Sequence, residues 1–174
     1  MNSSTFGTQS LLAEATALID YGVAVDLLDL TANSTSSMRP TRNQGTVETL
    51  LEALPEAHLV IPLTQKSGMA ALAVDPEDGG LDSLRLLLDK GEIPTQTCIV
   101  VTAEGISYLL FRFEGPRART GVIVGPGLRL IADQGFIVVP PRMADNGSEG
   151  RWKQGHHPAE MPIAELPERL AALL

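Results

Sequence analysis

The chain is poor in cysteine, in aromatic rings, in positive charge and in long apolar runs, and each shortage removes a class of function. Cys98 is the only cysteine, so disulfides within the chain and cysteine-rich zinc sites are excluded. It lies in the apolar run Cys98-Ile99-Val100-Val101-Thr102, which reads as a buried strand thiol. Aromatic residues make up 4%, so the core must be built from Leu, Val, Ile and Ala, and few rings are left to stack on bases. Lys and Arg number 13 against 21 Asp and Glu, giving a net charge of -8. That balance opposes general attraction to a phosphate backbone, so nucleic-acid contact would need a local basic patch. No apolar run approaches the roughly 18 residues of a membrane span. The opening residues Met1-Asn2-Ser3-Ser4-Thr5-Phe6-Gly7 lack a basic segment followed by an apolar one. A cytoplasmic protein without a membrane partner is expected.

What the chain does have is 174 residues with 44% hydrophobic side chains, enough for one packed domain spanning 1–174. Leu11, Leu12, Ala15, Leu18 and Ile19 recur at helical spacing up to Gly22, and Val23 to Leu28 reads as a strand. Residues 1–9 read as a tail, and the polar, aperiodic stretch 31–45 as a long mobile loop. Val47, Leu50, Leu51 and Leu54 mark a second helix closed by Pro55, followed by strands over 58–63 and 69–74. Leu81, Leu84, Leu87 and Leu88 share a face of a third helix, with Asp82 as N-cap and Gly91 as terminator. Strands at 97–102, 107–113, 120–124, 127–132 and 135–139 then suggest an antiparallel meander. Residues 141–162 are polar and rich in Pro and Gly, and a short helix with Pro167 in its first turn ends the sequence. The fold class is mixed α/β.

Four stretches in fixed order carry a resemblance. They are Ser67-Gly68 through Val74-Asp75-Pro76 to Gly79-Gly80-Leu81-Asp82-Ser83-Leu84; Ile93-Pro94-Thr95-Gln96-Thr97 followed by Thr102-Ala103-Glu104-Gly105-Ile106-Ser107-Tyr108; Gly125-Pro126-Gly127-Leu128-Arg129 to Pro140-Pro141; and Leu166-Pro167 to Leu174. Over about residues 15–174 the chain resembles the prim-pol domain of bifunctional primase/polymerases, in the archaeo-eukaryotic primase superfamily. The resemblance implies an antiparallel sheet of RNA-recognition-motif type flanked by helices. It also implies two carboxylates from Asp-x-Asp and a third from Gly-x-Asp, holding divalent metals for phosphoryl transfer.

Carried onto this chain, the first Asp falls on Ala73, the second on Asp75, the third on Arg129 and the family His on Tyr108. Asp75 is the one catalytic carboxylate retained. Ala73 has no donor atom, and Arg129 is always protonated. Two unit charges 4 Å apart interact by about 4 kcal/mol at an effective dielectric near 20, and a divalent ion roughly doubles that. Tyr108 does not replace an imidazole near neutral pH. The leading expectation is therefore a catalytically degenerate prim-pol-like domain that needs no cofactor and acts as a binding or regulatory protein. Its role would lie in DNA replication or a mobile element, beside a protein partner such as a replication helicase or polymerase.

One alternative is an active, Mg- or Mn-dependent primase/polymerase with relocated ligands, for which Glu77 and Asp78 are the nearest acids. Another is a metal-independent nucleotide or single-strand binder that uses Arg129 and Tyr108. Arg129 either pairs with Asp75 in the former metal site or points to solvent. The doublet His156-His157 lacks an evident third ligand, and Asp133 reads as a turn former. Arg39, Arg42, Lys66 and Arg112 are the cations available for a local patch. Lys66-Ser67-Gly68 does not follow P-loop spacing.

Overall fold

The computed structural model describes residues 3–29, 38–54, 56–140, 142–143 and 149–174. Helix α1 runs Ser3–Asp20, strand β1 Asp26–Leu28 and helix α2 Gln44–Ala53. Strands β2 (His58–Leu63) and β3 (Met69–Val74) precede helix α3 (Gly80–Asp89). Then come β4 (Ile99–Val101), β5 (Ser107–Arg112), β6 (Gly121–Gly125), β7 (Leu128–Ile131) and β8 (Gly135–Val138). The chain continues through β9 (Arg142–Met143), β10 (Glu149–Trp152), β11 (Ala164–Glu165) and α4 (Glu168–Ala171).

The expected α/β class is borne out, and two sheets form. The smaller has the order β1-β2-β8, and the larger β6-β7-β3-β5-β4-β10-β9, with β11 running parallel beside β5. The strands do not form the simple meander expected from their order: β3 inserts between β7 and β5, and β8 leaves for the smaller sheet. Strand neighbours set by long-range pairing are invisible to local pattern.

Because side chains alternate across a strand, β3 supplies two cores. Met69 and Ala71 join Val100 and Leu110 in a layer with Leu59, Ile61 and Leu63 of β2, Ile137 of β8, Ala15 and Leu18 of α1, and Val47 and Leu51 of α2. Ala70, Leu72 and Val74 face the other way, against Phe111, Leu130 and Leu170, with Leu84, Leu87 and Leu88 of α3 alongside. Each fully buried Leu, Val or Phe adds about 1.5–3 kcal/mol relative to exposure. That burial clamps the larger sheet from both faces.

Several boundaries differ from the sequence reading. Helix α1 begins at Ser3, inside the segment read as a tail. Residues 31–37 of the expected loop lie outside the described residues, but its later part is tied down. Val25 and Thr41 form a bridge, the Arg39 amide donates to Asp26 Oδ2 at 2.6 Å, and Asn43 caps α2 by accepting from the Thr46 amide at 2.9 Å. Helix α3 starts at Gly80 with Gly79 as N-cap in a left-handed conformation, so Asp82 sits in the first turn instead of capping it. Gly91 does take the left-handed conformation (φ 67°) expected of a helix terminator.

Candidate functional site

Directly opposed residues on antiparallel strands share a face of the sheet. Ala73 is opposed on one side by Tyr108 of β5 and on the other by Arg129 of β7. The three positions singled out in the sequence thus form one row across the middle of the larger sheet. Asp75 stands two residues beyond Ala73, just past the end of β3. Its backbone is locked in a three-way junction in which the Asp75 amide donates to the Gly127 carbonyl and the Gly80 amide donates to the Asp75 carbonyl, both at 2.8 Å. The approach is close enough that a Cβ on Gly80 would lie 2.5 Å from the Asp75 oxygen, and one on Gly127 2.4 Å from the Gly80 nitrogen. Both glycines of the sequence motif are therefore required by backbone contact.

The row and Asp75 come together, but the expected Asp75–Arg129 ion pair does not form within 4.0 Å among the described residues. Asp75 Oδ1 accepts from the Glu77 amide at 3.0 Å, folding the carboxylate onto its own turn. Arg129 is exposed, and its guanidinium lies over Gly121, with Nε 3.1 Å from where a Cβ there would sit. Gly121 pairs with Ile131, which pairs with Ala71. The guanidinium therefore runs along the sheet away from the Asp75 end. The absence of a side chain on Gly121 makes room for this route.

Beside the row lies a cleft of about 320 Å³ between the β4–β5 hairpin and β8 of the smaller sheet. Thr102, Glu104, Ile106 and Tyr108 line one side, Phe136 and Val138 the other, and no Lys, Arg or His lines it among the described residues. Burial pushes the Tyr108 phenol up from its ordinary value; Glu104 adds to this, Arg129 opposes it and Asp75 contributes less. The phenol is thus held in its neutral, hydrogen-donating form, and Glu104, Arg129 and Asp75 all act on one hydroxyl. Glu104 was not among the candidates from sequence, where it appears only within the stretch Thr102 to Tyr108 that carries the resemblance. The available signal was its position four residues before Tyr108 in that hairpin.

The oxygen donors near the row are the Asp75 carboxylate, the Tyr108 phenol and, across the hairpin, Glu104. Among the described residues no three His, Cys, Asp or Glu side chains gather in a way that could hold a metal ion. Glu77 and Asp78, the nearest acids in sequence, are exposed in the turn after β3.

Four of the other candidates, His156, His157, Arg42 and Arg112, make contacts that hold the scaffold together. His156 Nδ1 lies 2.7 Å from the Thr97 carbonyl. His157 Nδ1 accepts from the Ala159 amide at 3.0 Å and Nε2 lies 3.2 Å from Glu14 Oε1, which also accepts from Trp152 Nε1 at 2.9 Å. The Trp152 and His157 rings meet edge to face at 4.9 Å, so both histidines are engaged in tying the 149–161 segment down. Arg42 donates to the carbonyls of Gly22 at 3.1 Å and Ser67 at 2.9 Å, and Arg112 to that of Tyr21 at 3.0 Å. These cations cap the C-terminal end of α1, where the helix dipole is negative, at the opposite end of β5 from Tyr108.

The larger antiparallel sheet, packed on both faces, presents this row of residues beside a lateral cleft. The chain belongs to the prim-pol family: residues 25–169, most of its length, match the family described as the N-terminal domain of bifunctional DNA primase/polymerases. This is a primase/polymerase-like nucleotidyltransferase family. No curated protein matches the chain. No helix among the described residues is long and apolar enough to cross a membrane.

Proposed function

We propose that this chain is a catalytically degenerate prim-pol domain that works by binding, as a regulatory or accessory component of DNA replication or of a mobile element. The observation that carries the reading is the row Ala73, Tyr108 and Arg129 at the middle of the larger sheet. A two-metal phosphoryl transfer needs several hard oxygen ligands converging on two cations. This row offers a methyl group, a neutral phenol and a permanent cation. The single family carboxylate, Asp75, has one oxygen committed to its own turn. Such a donor set does not fit a pair of divalent ions.

A partner, such as a helicase or polymerase, would supply the chemistry that this domain lacks. Calorimetric titration of the protein with manganese tests the reading. The expected result is no saturable site; saturable binding that disappears in Asp75→Ala would contradict it.

A second reading is favoured by one observation, the exposed guanidinium of Arg129 with no carboxylate partner within 4.0 Å among the described residues. There it would contact a phosphate directly, a fixed charge standing in for a metal ion. Nucleotide binding that persists in the presence of a chelator and is lost in Arg129→Gln would select this reading.

A further inference from the structure

Strand β6 ends the larger sheet, and among the described residues no strand pairs with its outer edge. Its sequence, Gly121-Val122-Ile123-Val124-Gly125, carries neither the charge nor the proline that guards an exposed edge. A register shift between Ile123 and Gly125 leaves Gly121 to Ile123 as the regular part of that edge. The Ala132 amide donates to the Thr120 carbonyl at 3.2 Å, so Thr120 turns its carbonyl towards β7. Backbone direction alternates along a strand, and Gly121 and Ile123 therefore aim their N–H and C=O groups outward. Val122 and Val124 pack on the core shared with α3, whereas Ile123 keeps 81% of its surface exposed.

Gly121 and Ile123 stand on the same face of the sheet as Arg129. The Arg129 guanidinium lies over Gly121, with Nε 3.1 Å and Nη2 3.3 Å from where a Cβ there would sit. An arginine of the second strand is thereby carried onto the outermost one. A strand laid against β6 would set one side chain opposite Gly121, beside this guanidinium, and another, two residues away, opposite Ile123. Charge complementarity asks for a carboxylate at the first place, and the bare Ile123 surface asks for a branched apolar residue at the second. Arg119, exposed two residues before Gly121, adds charge of the same sign. A second copy of this chain does not meet the requirement: paired antiparallel about Ile123, its β6 would offer Gly125 opposite Gly121, and β6 contains no acid.

We propose that the outer edge of β6 binds an extended segment of a partner protein as an added antiparallel strand, with a branched apolar residue against Ile123 and, two residues later, an acidic residue against Arg129. The proposal rests on the reading of this domain as a binding component, and it gives the protein partner a chemistry. Main-chain hydrogen bonds to Gly121 and Ile123 supply attachment, and the two side chains supply selection. Position 121 must stay bare, because a side chain there would crowd the guanidinium.

The probe is the end-capped peptide Thr-Val-Thr-Glu-Thr, with versions that carry Gln or Lys in place of Glu. Amide chemical shifts of residues 121–123, and hydrogen exchange at Gly121 and Ile123, report binding to the chain without metal or nucleotide. The Glu peptide is expected to saturate these amides and slow their exchange, the Gln version to bind about fivefold more weakly, and the Lys version not to saturate. Arg129→Gln should remove the difference between the Glu and Gln peptides. Ile123→Pro takes away an outward N–H and the apolar side chain without touching the bonds to β7, so it should abolish saturation. Ile123→Lys, which keeps the backbone donor, should weaken binding about tenfold and serves as the check should the proline disturb amides outside β6. No saturation by the Glu peptide, equal binding of the Glu and Gln versions, or an unchanged preference in Arg129→Gln would each overturn the proposal. So would a response of the same amides to dilution of the protein, the sign of a second copy, or their tighter response to a short single-stranded oligonucleotide. Saturable manganese binding lost in Asp75→Ala would refute the non-catalytic reading and leave the peptide result standing, whereas failure of the peptide refutes the β6 edge alone.

Discussion

At the scale of single residues, the chain separates side chains that could do chemistry from those that hold the scaffold. Cys98 belongs to the second group. It is fully buried and its Sγ donates to the Met161 carbonyl at 3.1 Å. Burial pushes the thiol up to about 12, with Arg112 pulling weakly the other way. Because the folded value lies above the unfolded one, the native state keeps its proton where the unfolded chain has lost it. The thiol's contribution is fully present below the ordinary value near 9 and is lost as pH rises towards about 12. The stability of the wild type relative to Cys98→Ala should therefore shrink across that window in urea melts; a constant difference would contradict the buried assignment. The sequence made this legible, because an apolar run around a lone cysteine is a local signal. It did not reveal where Arg129 points, since that depends on Gly121, a neighbour brought close only by the β6–β7 pairing.

At the scale of elements, the helices and the strands 58–63 and 69–74 could be read from periodicity, because apolar spacing is written locally. Strands β9, β10 and β11 could not. Glu149-Gly150-Arg151-Trp152 has no strand-like alternation of apolar residues and is a strand because Arg151 and Trp152 pair with Val101 and Val100. Helix α3 likewise starts at Gly80 instead of after Asp82 because Asp75, Gly80 and Gly127 meet through their backbones. Gly80→Ala should cost about 1–3 kcal/mol by forcing that junction apart; a neutral effect on the denaturation midpoint would show that the junction yields. Helix α1 is joined to β10 and the following turn by Glu14, whose Oε1 serves both Trp152 and His157. Glu14→Ala leaves the indole N–H without its acceptor and should destabilise the fold by about 1–3 kcal/mol. Trp152 is the only tryptophan, so its emission should shift to the red with the loss. An unchanged spectrum would place the indole elsewhere.

At the scale of the whole molecule, the family match covers most of the chain, and its central row holds Ala73, Tyr108 and Arg129. The fold was legible because glycine turns and apolar strands are constrained by backbone geometry, and these persist in the four sequence stretches. The candidate site was legible only in part. Its row of Ala73, Tyr108 and Arg129 followed from the resemblance, whereas Glu104, Phe136 and the cleft they border appear only when β8 is folded against the β4–β5 hairpin. A net charge of -8 also opposes general attraction to a phosphate backbone. The most direct measurement is primer synthesis and primer extension by the purified chain with magnesium or manganese. The account predicts no product with either metal; robust product that Asp75→Ala abolishes would contradict it.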